Sequence, residues 1–513
     1  MKSGWDWLAI ALYLSGLLAV GAYYQRRTHS VDDYMLGGRR MRPWSVGLSL
    51  FATLFSAITY LAMPGEMIKH GPMMWSKIAC LPLVYWAVGW FLIPHIMKFH
   101  VSSAYELLEV RLGVRIRTLA SLFFLIMRLI WMAVIIFMVA EKIIVPVMGW
   151  SEETAFWVSV AIGVLTIVYT SCGGLRGVVV TDVLQSFIMF GGTLLAILII
   201  VNHFGSVRAL LPADWPQHWA EWKFYDARAR VSFMTMVITV FGQYVCTAGS
   251  DQMSIQRYLA TRDSAAARRA LLTSLIANGL IYVVLAALGI ALMAYYQAHP
   301  ELIMTGRSLS DAADWLLPLF IVQGLPVGIA GLVFSGLLAA AMSSLSSGIN
   351  SSSHVVINDF ILRFNKIKPS QRTQVHWARA ISLVIGLATL CLSLIMGHVK
   401  GNLIEVTFKT VNLLTAPLFV PFFMALFVQR ANENAVLIGT MASVATAICI
   451  GFADVIFGQM ISFLWIIPGS FAVGAATSIL SSYILTKPTQ NRSKSNGNSC
   501  SHFGRPQRAD GLP

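Results

Sequence analysis

The sequence contains little charge, and its acidic residues are outnumbered by basic ones. Only 12% of the 513 residues are charged, with 23 acidic against 37 basic side chains, while 57% are hydrophobic. Apolar runs of roughly twenty residues, long enough to span a bilayer, recur along nearly the whole chain. The basic residues lie mainly in the short connections between these runs, which argues against nucleic acid as a partner. The composition therefore predicts an all-α integral membrane protein, with the lipid bilayer as its surroundings.

Signatures of catalysis and of metal cofactors are missing. The six cysteines show no CxxC spacing, so we interpret them as packing residues and predict no disulfide. The chain contains no H-E-x-x-H, no G-x-S-x-G and no phosphate-binding loop. A membrane enzyme is therefore disfavoured, and we predict neither catalytic residues nor an organic cofactor. A transporter-like sensor would need a signalling domain, which the sequence does not contain.

Hydropathy predicts about thirteen membrane spans. They lie near residues 5–24, 44–68, 74–97, 115–146, 153–172, 179–202, 232–252, 268–295, 323–351, 373–398, 403–428, 434–457 and 461–486. One membrane domain is thus expected over residues 1–486, followed by a polar and disordered tail over 487–513.

Cations are concentrated in alternate connections between the predicted spans. The rich set contains Arg26, Arg27, Arg39, Arg40, Arg42, Arg111, Arg115, Arg117, Arg257, Arg262, Arg268, Arg269, Arg363, Lys366, Lys368 and Arg372. Loops rich in lysine and arginine stay in the cytoplasm. With thirteen spans this places the N terminus outside and the C terminus inside, in a cell membrane.

Two of the predicted spans have interrupted patterns. The second, "WSVGLSLFATLFSAITYLAMPGEMIKHG", contains Pro64-Gly65, at which we expect a break, and the seventh, "FGQYVCTAGSDQMSIQRYLA", contains Gly249, Ser250 and Asp251. Each opens a group of five spans, over about 44–202 and 232–428, as an inverted repeat would. The alternative is that glycine, serine and threonine only allow close helix packing.

Five ordered motifs resemble those of the sodium:solute symporter family. The most specific is "YTSCGGLRGVVVTDVLQSFIMFGG" at residues 169–192. The others are "DDYMLGGRRMRPWSVGLSLFA", "SSAYELLEVRLG", "DQMSIQRYLA" and "AAAMSSLSSGINSSS", so the resemblance covers roughly residues 30–360. It implies a LeuT-like core of five plus five helices with two discontinuous helices. It also implies symport of a small solute with sodium, the coupling ion, by alternating access.

The serine-rich segment requires a physical explanation, because an unpartnered hydroxyl in hydrocarbon is costly. Close helix packing and bonding to the preceding helical turn would explain it without a ligand. The family resemblance implies instead a sodium site, since a hard cation prefers oxygen ligands. The implied ligands are Ala52, Phe55, Ala340, Ser343 and Ser344.

A second sodium site is predicted around one acid. Asp182 lies at the start of the sixth predicted span, and an ionisable group there is a functional candidate. Ser343, Ser346 and Ser347 share one helical face that could bind a cation together with Asp182. The alternative is that Asp182 caps a helix beginning at residue 183.

For the solute, the resemblance is to carriers of organic acids, such as sialic acid and monocarboxylate symporters. Ser56 and Thr59 are expected to face the central cavity, with Tyr60 as an aromatic cover. Hexose carriers of the family have glutamine at the place of Thr59 and tyrosine at that of Thr247. In the organic-acid carriers an arginine of the fourth span can meet a carboxylate; the matching place here is Trp131, and Arg128 lies one turn earlier. Two interpretations of Arg128 stay open, a contact with the carboxylate of the solute and a pair with an acid of the protein. A sugar or amino-acid symporter remains the alternative.

Overall fold

The fold is described from a computed structural model. It describes residues 3–99, 101–212, 214–226, 229–303, 308–364, 369–396, 403–458 and 461–485. Within those ranges the chain forms helices and their connections, and no strand occurs. The all-α prediction is confirmed. The predicted tail over 487–513 lies outside the described residues.

The first half of the chain forms ten α-helices. They are α1 (Gly4–Arg27), α2 (Val31–Leu36), α3 (Pro43–Leu54), α4 (Ala57–His70), α5 (Leu81–Trp86), α6 (Ile93–Met97), α7 (Glu106–Leu112), α8 (Val114–Phe137), α9 (Val145–Met148) and α10 (Thr154–Phe204). Short 3₁₀ or π turns occupy Gly37–Arg39, Pro72–Cys80, Ala87–Leu92, Met138–Ile144 and Arg208–Leu210. The turns at 72–80 and 87–92 join α5 and α6 into one apolar span, Pro72–Met97.

The second half forms eleven further α-helices. They are α11 (Phe233–Ser250), α12 (Gln252–Leu259), α13 (Ser264–Ala298), α14 (Leu309–Gln323), α15 (Ile329–Val355), α16 (Leu362–Phe364), α17 (Gln371–Met396), α18 (Leu403–Phe427), α19 (Glu433–Gly451), α20 (Ala453–Phe457) and α21 (Ile466–Leu485). Short turns occupy Pro300–Leu302, Val356–Ile361 and Phe463–Trp465.

The described residues contain ten helices long and apolar enough to cross a membrane, or eleven with the bent pair α3 and α4. The 51-residue α10 includes two predicted spans, because it kinks at Gly174, whose φ of 56° and ψ of −164° are not helical. A shorter apolar helix, Asn412–Phe427, lies where the eleventh span is predicted. The total of thirteen spans stays a prediction.

Both predicted discontinuities are present, but the first lies elsewhere than expected. The chain bends by 70° between α3 and α4, at Phe55 and Ser56. Pro64 lies inside α4, so the prediction of a break at Pro64-Gly65 is wrong. The bend is set by Ser56, whose extended backbone and side chain cap the N terminus of α4. The second break falls at Asp251, between α11 and α12.

The serine-rich helix α15 is the central element of the fold. It packs against α10, α1, α8, α17, α3 and α4. Its most apolar window is 89% buried, against at most 61% for the other apolar spans. Small side chains on all its faces allow these neighbours to approach closely.

Arg117, predicted as a loop cation, is instead buried and joins the start of α8 to the segment after α15. Its guanidinium donates to Asp359 at 2.7 Å and to Glu109 at 2.6 Å. Arg363 binds the same Glu109 carboxylate. Hydrogen bonds from Arg363 and Arg117 hold the pKa of Glu109 below its ordinary value. The resulting stabilisation is present above the ordinary pKa of a glutamate and is lost as the pH falls towards the lowered value.

The kink of α10 yields a stability prediction. A side chain at Gly174 would be strained by the positive φ, and its Cβ would stand 2.8 Å from the Tyr34 carbonyl oxygen. Gly174→Ala should therefore destabilise the fold by ~1–3 kcal/mol and lower the melting temperature in detergent. Gly191→Ala, on the same helix with open space around its Cβ, is the matched control and should melt like wild type. Equal melting temperatures for wild type and both variants would show that the backbone at Gly174 does not require glycine.

Candidate functional site

The serines of α15 divide into two groups by what their hydroxyls contact. Ser335, Ser351 and Ser353 donate only to carbonyls of their own helix, at 2.7–2.8 Å for the closest bonds. Such bonds to the preceding turn are the ligand-free explanation of a serine-rich helix. The hydroxyls of Ser343 and Ser344 also reach α3 and its break. These two hydroxyls, and that of Ser347, which bonds to Thr53 and Asp182, need another explanation.

Ser343 and Ser344 face the C-terminal end of α3, where carbonyls lose their helical partners. Ser343 Oγ lies 3.0 Å from the Ala52 carbonyl oxygen and 3.3 Å from that of Ala340. Ser344 Oγ lies 3.4 Å from the carbonyl oxygens of Thr53 and Ala340 and 3.5 Å from that of Phe55. The structure thus brings together all five predicted ligands and adds Thr53.

The number of acceptors in this cluster exceeds the number of donors. Two hydroxyls supply two protons, whereas four carbonyl oxygens face them, so each hydroxyl proton can serve only one of its neighbours. A hard cation bound at ~2.4 Å holds oxygens at right angles about 3.4 Å apart. Of the three separations that cross to α3 and its break, two, at 3.4 and 3.5 Å, match that spacing better than ordinary hydroxyl hydrogen bonds. The cluster is therefore suited to bind sodium.

Asp182 lies well inside α10 and is fully buried, so the alternative that it caps a helix from residue 183 is wrong. One of its oxygens, Oδ2, accepts from Ser49 at 2.5 Å and from Ser347 at 3.4 Å. Ser347 also bonds to Thr53 at 2.8 Å. A chain of hydroxyls therefore connects Asp182 with the first cluster.

Arg257 belongs to this network and was not predicted there, because its sequence position suggested a cytoplasmic loop. It is fully buried and donates to Asp182 at 3.2 Å, to Ser347 at 2.5 Å and to Ser49 at 2.9 Å. An arginine inside the motif "DQMSIQRYLA", directly after a helix break, is the signal that could have indicated it.

The second predicted cation site is only partly assembled around Asp182. Its other oxygen, Oδ1, is buried and has no hydrogen-bond partner among the described residues. Ser346 Oγ donates to the Ser343 carbonyl at 3.1 Å and makes no contact with Asp182. A buried carboxylate oxygen without a donor is a suitable ligand for a cation.

The predicted solute residues do not come together in one place. Ser56 and Thr59 lie together at the break, with their hydroxyls 3.2 Å apart. Tyr60 instead points to α10, where its hydroxyl bonds to Thr193 at 2.8 Å, so it does not cover the break. Thr247 lies half-buried near the end of α11, where its carbonyl accepts from the Asp251 N–H.

Arg128 forms a buried ion pair with Asp251 at the second break. The same acid caps α12 by accepting from the Met253 N–H at 2.8 Å. Arg128 therefore meets an acid of the protein, as the alternative interpretation expected.

Two broken helices beside a serine helix, with oxygens gathered at one break, define a cation-coupled secondary transporter. The model of the sodium:solute symporter family matches residues 34–443. The chain belongs to the sodium:solute symporter family, and the predicted membership is confirmed.

Several relatives match most of this chain. A sodium/sialic acid symporter of Proteus mirabilis is 30% identical over 91% of this chain and 92% of its own. The human sodium-coupled monocarboxylate transporter 1 is 27% identical over 88% of this chain and 74% of its own. A solved structure of a Na⁺-coupled sialic acid symporter, substrate-bound and outward-open, has a TM-score of 0.83 at 27% identity. It covers 94% of this chain and 98% of that one.

The acceptor surplus yields a prediction for the serines. Ser343→Ala and Ser344→Ala should each raise the sodium concentration for half-maximal thermal stabilisation at least severalfold, because each variant loses one cation ligand. Ser351→Ala, on the same helix with a hydroxyl that bonds only its own turn, should keep the wild-type value. Sodium titrations of melting temperature in detergent measure the effect. Equal shifts in all three variants would mean that the serines only pack.

Proposed function

We propose that this protein is a sodium-coupled symporter that imports a small organic acid across the cell membrane, with its N terminus outside and its C terminus in the cytoplasm. The observation that carries the proposal is the gathering of carbonyl and hydroxyl oxygens at the first break. Sodium, the small solute and the lipid bilayer are its partners, and alternating access requires no covalent chemistry. The named relatives carry sialic acid or monocarboxylates, which supports an acidic solute.

The two helix ends that meet at the first break, the C-terminal end of α3 and the N-terminal end of α4, have opposite polarity. This polarity supports the binding of a cation beside an anion. The C-terminal end of α3 presents carbonyls, which attract a cation. The N-terminal end of α4 presents N–H groups, and such an end favours an anion. The hydroxyls of Ser56 and Thr59 stand at this second end. Sodium and a carboxylate can therefore bind on opposite sides of one bend.

The charge of the solute makes a second sodium useful. One sodium carried with one monoanion moves no net charge, so a tenfold sodium gradient supports only about tenfold accumulation. A second ion adds about 2.3 kcal/mol at ~100 mV and about 1.4 kcal/mol from the gradient. Together these terms support accumulation of several thousandfold. We propose that Asp182, Ser343, Ser346 and Ser347 contribute to binding this second ion.

The first prediction concerns coupling. Proteoliposomes containing the full chain should accumulate the transported acid only with an inward sodium gradient, because no other energy source is evident in the site. Labelled sialic acid, lactate and pyruvate, and labelled glucose and proline for the alternative classes, are the probes. Equal uptake in sodium and in choline would contradict sodium coupling. Sodium-dependent uptake of the sugar alone would support coupling but contradict an organic acid as the solute.

The second prediction concerns the number of ions. Wild type should show a sodium Hill coefficient above one, falling towards one in Ser346→Ala. Asp182→Asn should have the same effect, but it also leaves Arg257 without its acid, so its folding must be checked by melting temperature. Ser353→Ala, whose hydroxyl bonds only its own helix, is the control. A reversal potential that indicates one sodium per solute in wild type would refute the second ion.

A further inference from the structure

Lys77 is a buried cation that the site described above does not use. It lies in the turn Pro72–Cys80 at the start of an apolar span, and its side chain is only 7% exposed. Its ammonium stands 3.5 Å from the centre of the Tyr282 ring and 3.4 Å from Met63 Sδ. The ammonium is therefore held among side chains and does not extend to water.

No carboxylate oxygen of the described residues lies within 4.0 Å of this ammonium, although every other buried lysine or arginine in the described ranges is ion-paired. Arg117, Arg128 and Arg257 have Asp359, Asp251 and Asp182 as partners. Glu66, which acts on Lys77 from a distance, is held by two hydrogen bonds from Arg230. A buried charge without an acid is costly, and a cation–π contact recovers only part of that cost.

The position of Lys77 connects it with the first break. Met63 follows Thr59 by four residues in α4, so both side chains lie on one face of that helix. The Tyr282 ring that faces the ammonium also packs against Phe55, with ring centres 6.1 Å apart. The two side chains that contact the ammonium are thus linked to the break, Met63 through the helix face of Thr59 and Tyr282 through its packing on Phe55.

We infer that Lys77 binds the anionic group of the transported solute. The inference rests on the proposed function and deepens it: the solute carries a carboxylate, which the ammonium of Lys77 and the N-terminal end of α4 hold together. The bound anion is then the acid partner that Lys77 lacks in the protein. An uncharged sugar would leave this charge unmatched, so the site selects against it.

The test compares Lys77→Met with Lys77→Arg in the full-length protein. Melting temperatures are measured in sodium with a panel of carboxylates (N-acetylneuraminate, lactate, pyruvate, nicotinate) and the uncharged nicotinamide and N-acetylmannosamine. Wild type should be stabilised by at least one carboxylate and by neither uncharged compound. Lys77→Met should weaken the binding of that carboxylate at least tenfold, whereas Lys77→Arg should keep part of it.

A structural role would give a different result. Removing an unpaired buried charge should leave the solute-free melting temperature equal or higher in Lys77→Met, and its response to sodium alone should be unchanged. Lys69→Met, which removes a lysine paired with Asp314 at 2.5 Å, is the control and should bind the carboxylate like wild type. The inference is overturned if Lys77→Met binds the carboxylate within twofold of wild type, or if only uncharged compounds or none bind to wild type. Sodium-driven uptake of an uncharged solute would refute the inference and leave sodium coupling standing.

Discussion

The structure depends on how backbone carbonyls at a helix break are satisfied inside a membrane. Non-helical backbone is tolerated at that depth only where protein or a cavity provides partners. At the bend between α3 and α4, Ser343 and Ser344 provide two protons for three carbonyl oxygens, those of Ala52, Thr53 and Phe55. The carbonyl oxygen that receives no proton is suited to bind a cation such as sodium.

Buried ion pairs support the same region from two further directions. Arg257, just after the second break, bonds to Asp182 of α10, to Ser49 of α3 and to Ser347 of α15. Arg128 of α8 pairs with Asp251 at the second break. The two breaks are thus connected to the surrounding helices through charges that would be costly to leave unpaired.

Sequence patterns predicted much of this arrangement, and their failures have physical causes. The two discontinuities, the family and the convergence of residues 52, 55, 340, 343 and 344 followed from motifs. The sequence predicts the first break at Pro64, a helix breaker, but the break lies at Ser56, whose side chain caps α4 eight residues before the proline. The pair Asp182–Arg257 spans 75 positions, so local patterns could not reveal it. Lys77 was missed because its lack of an acid is a three-dimensional property.

If sodium binds between the carbonyls of the first break and the serines of α15, it should protect both segments from hydrogen–deuterium exchange. Exchange of the purified full-length protein is compared in sodium and in choline, without solute. We expect slower exchange in sodium for peptides covering residues 50–60 and 338–350, and unchanged exchange for α19 and α21, which pack on each other and not on α3, α4 or α15. Equal exchange of residues 50–60 in both salts, at sodium concentrations that support uptake, would contradict the account.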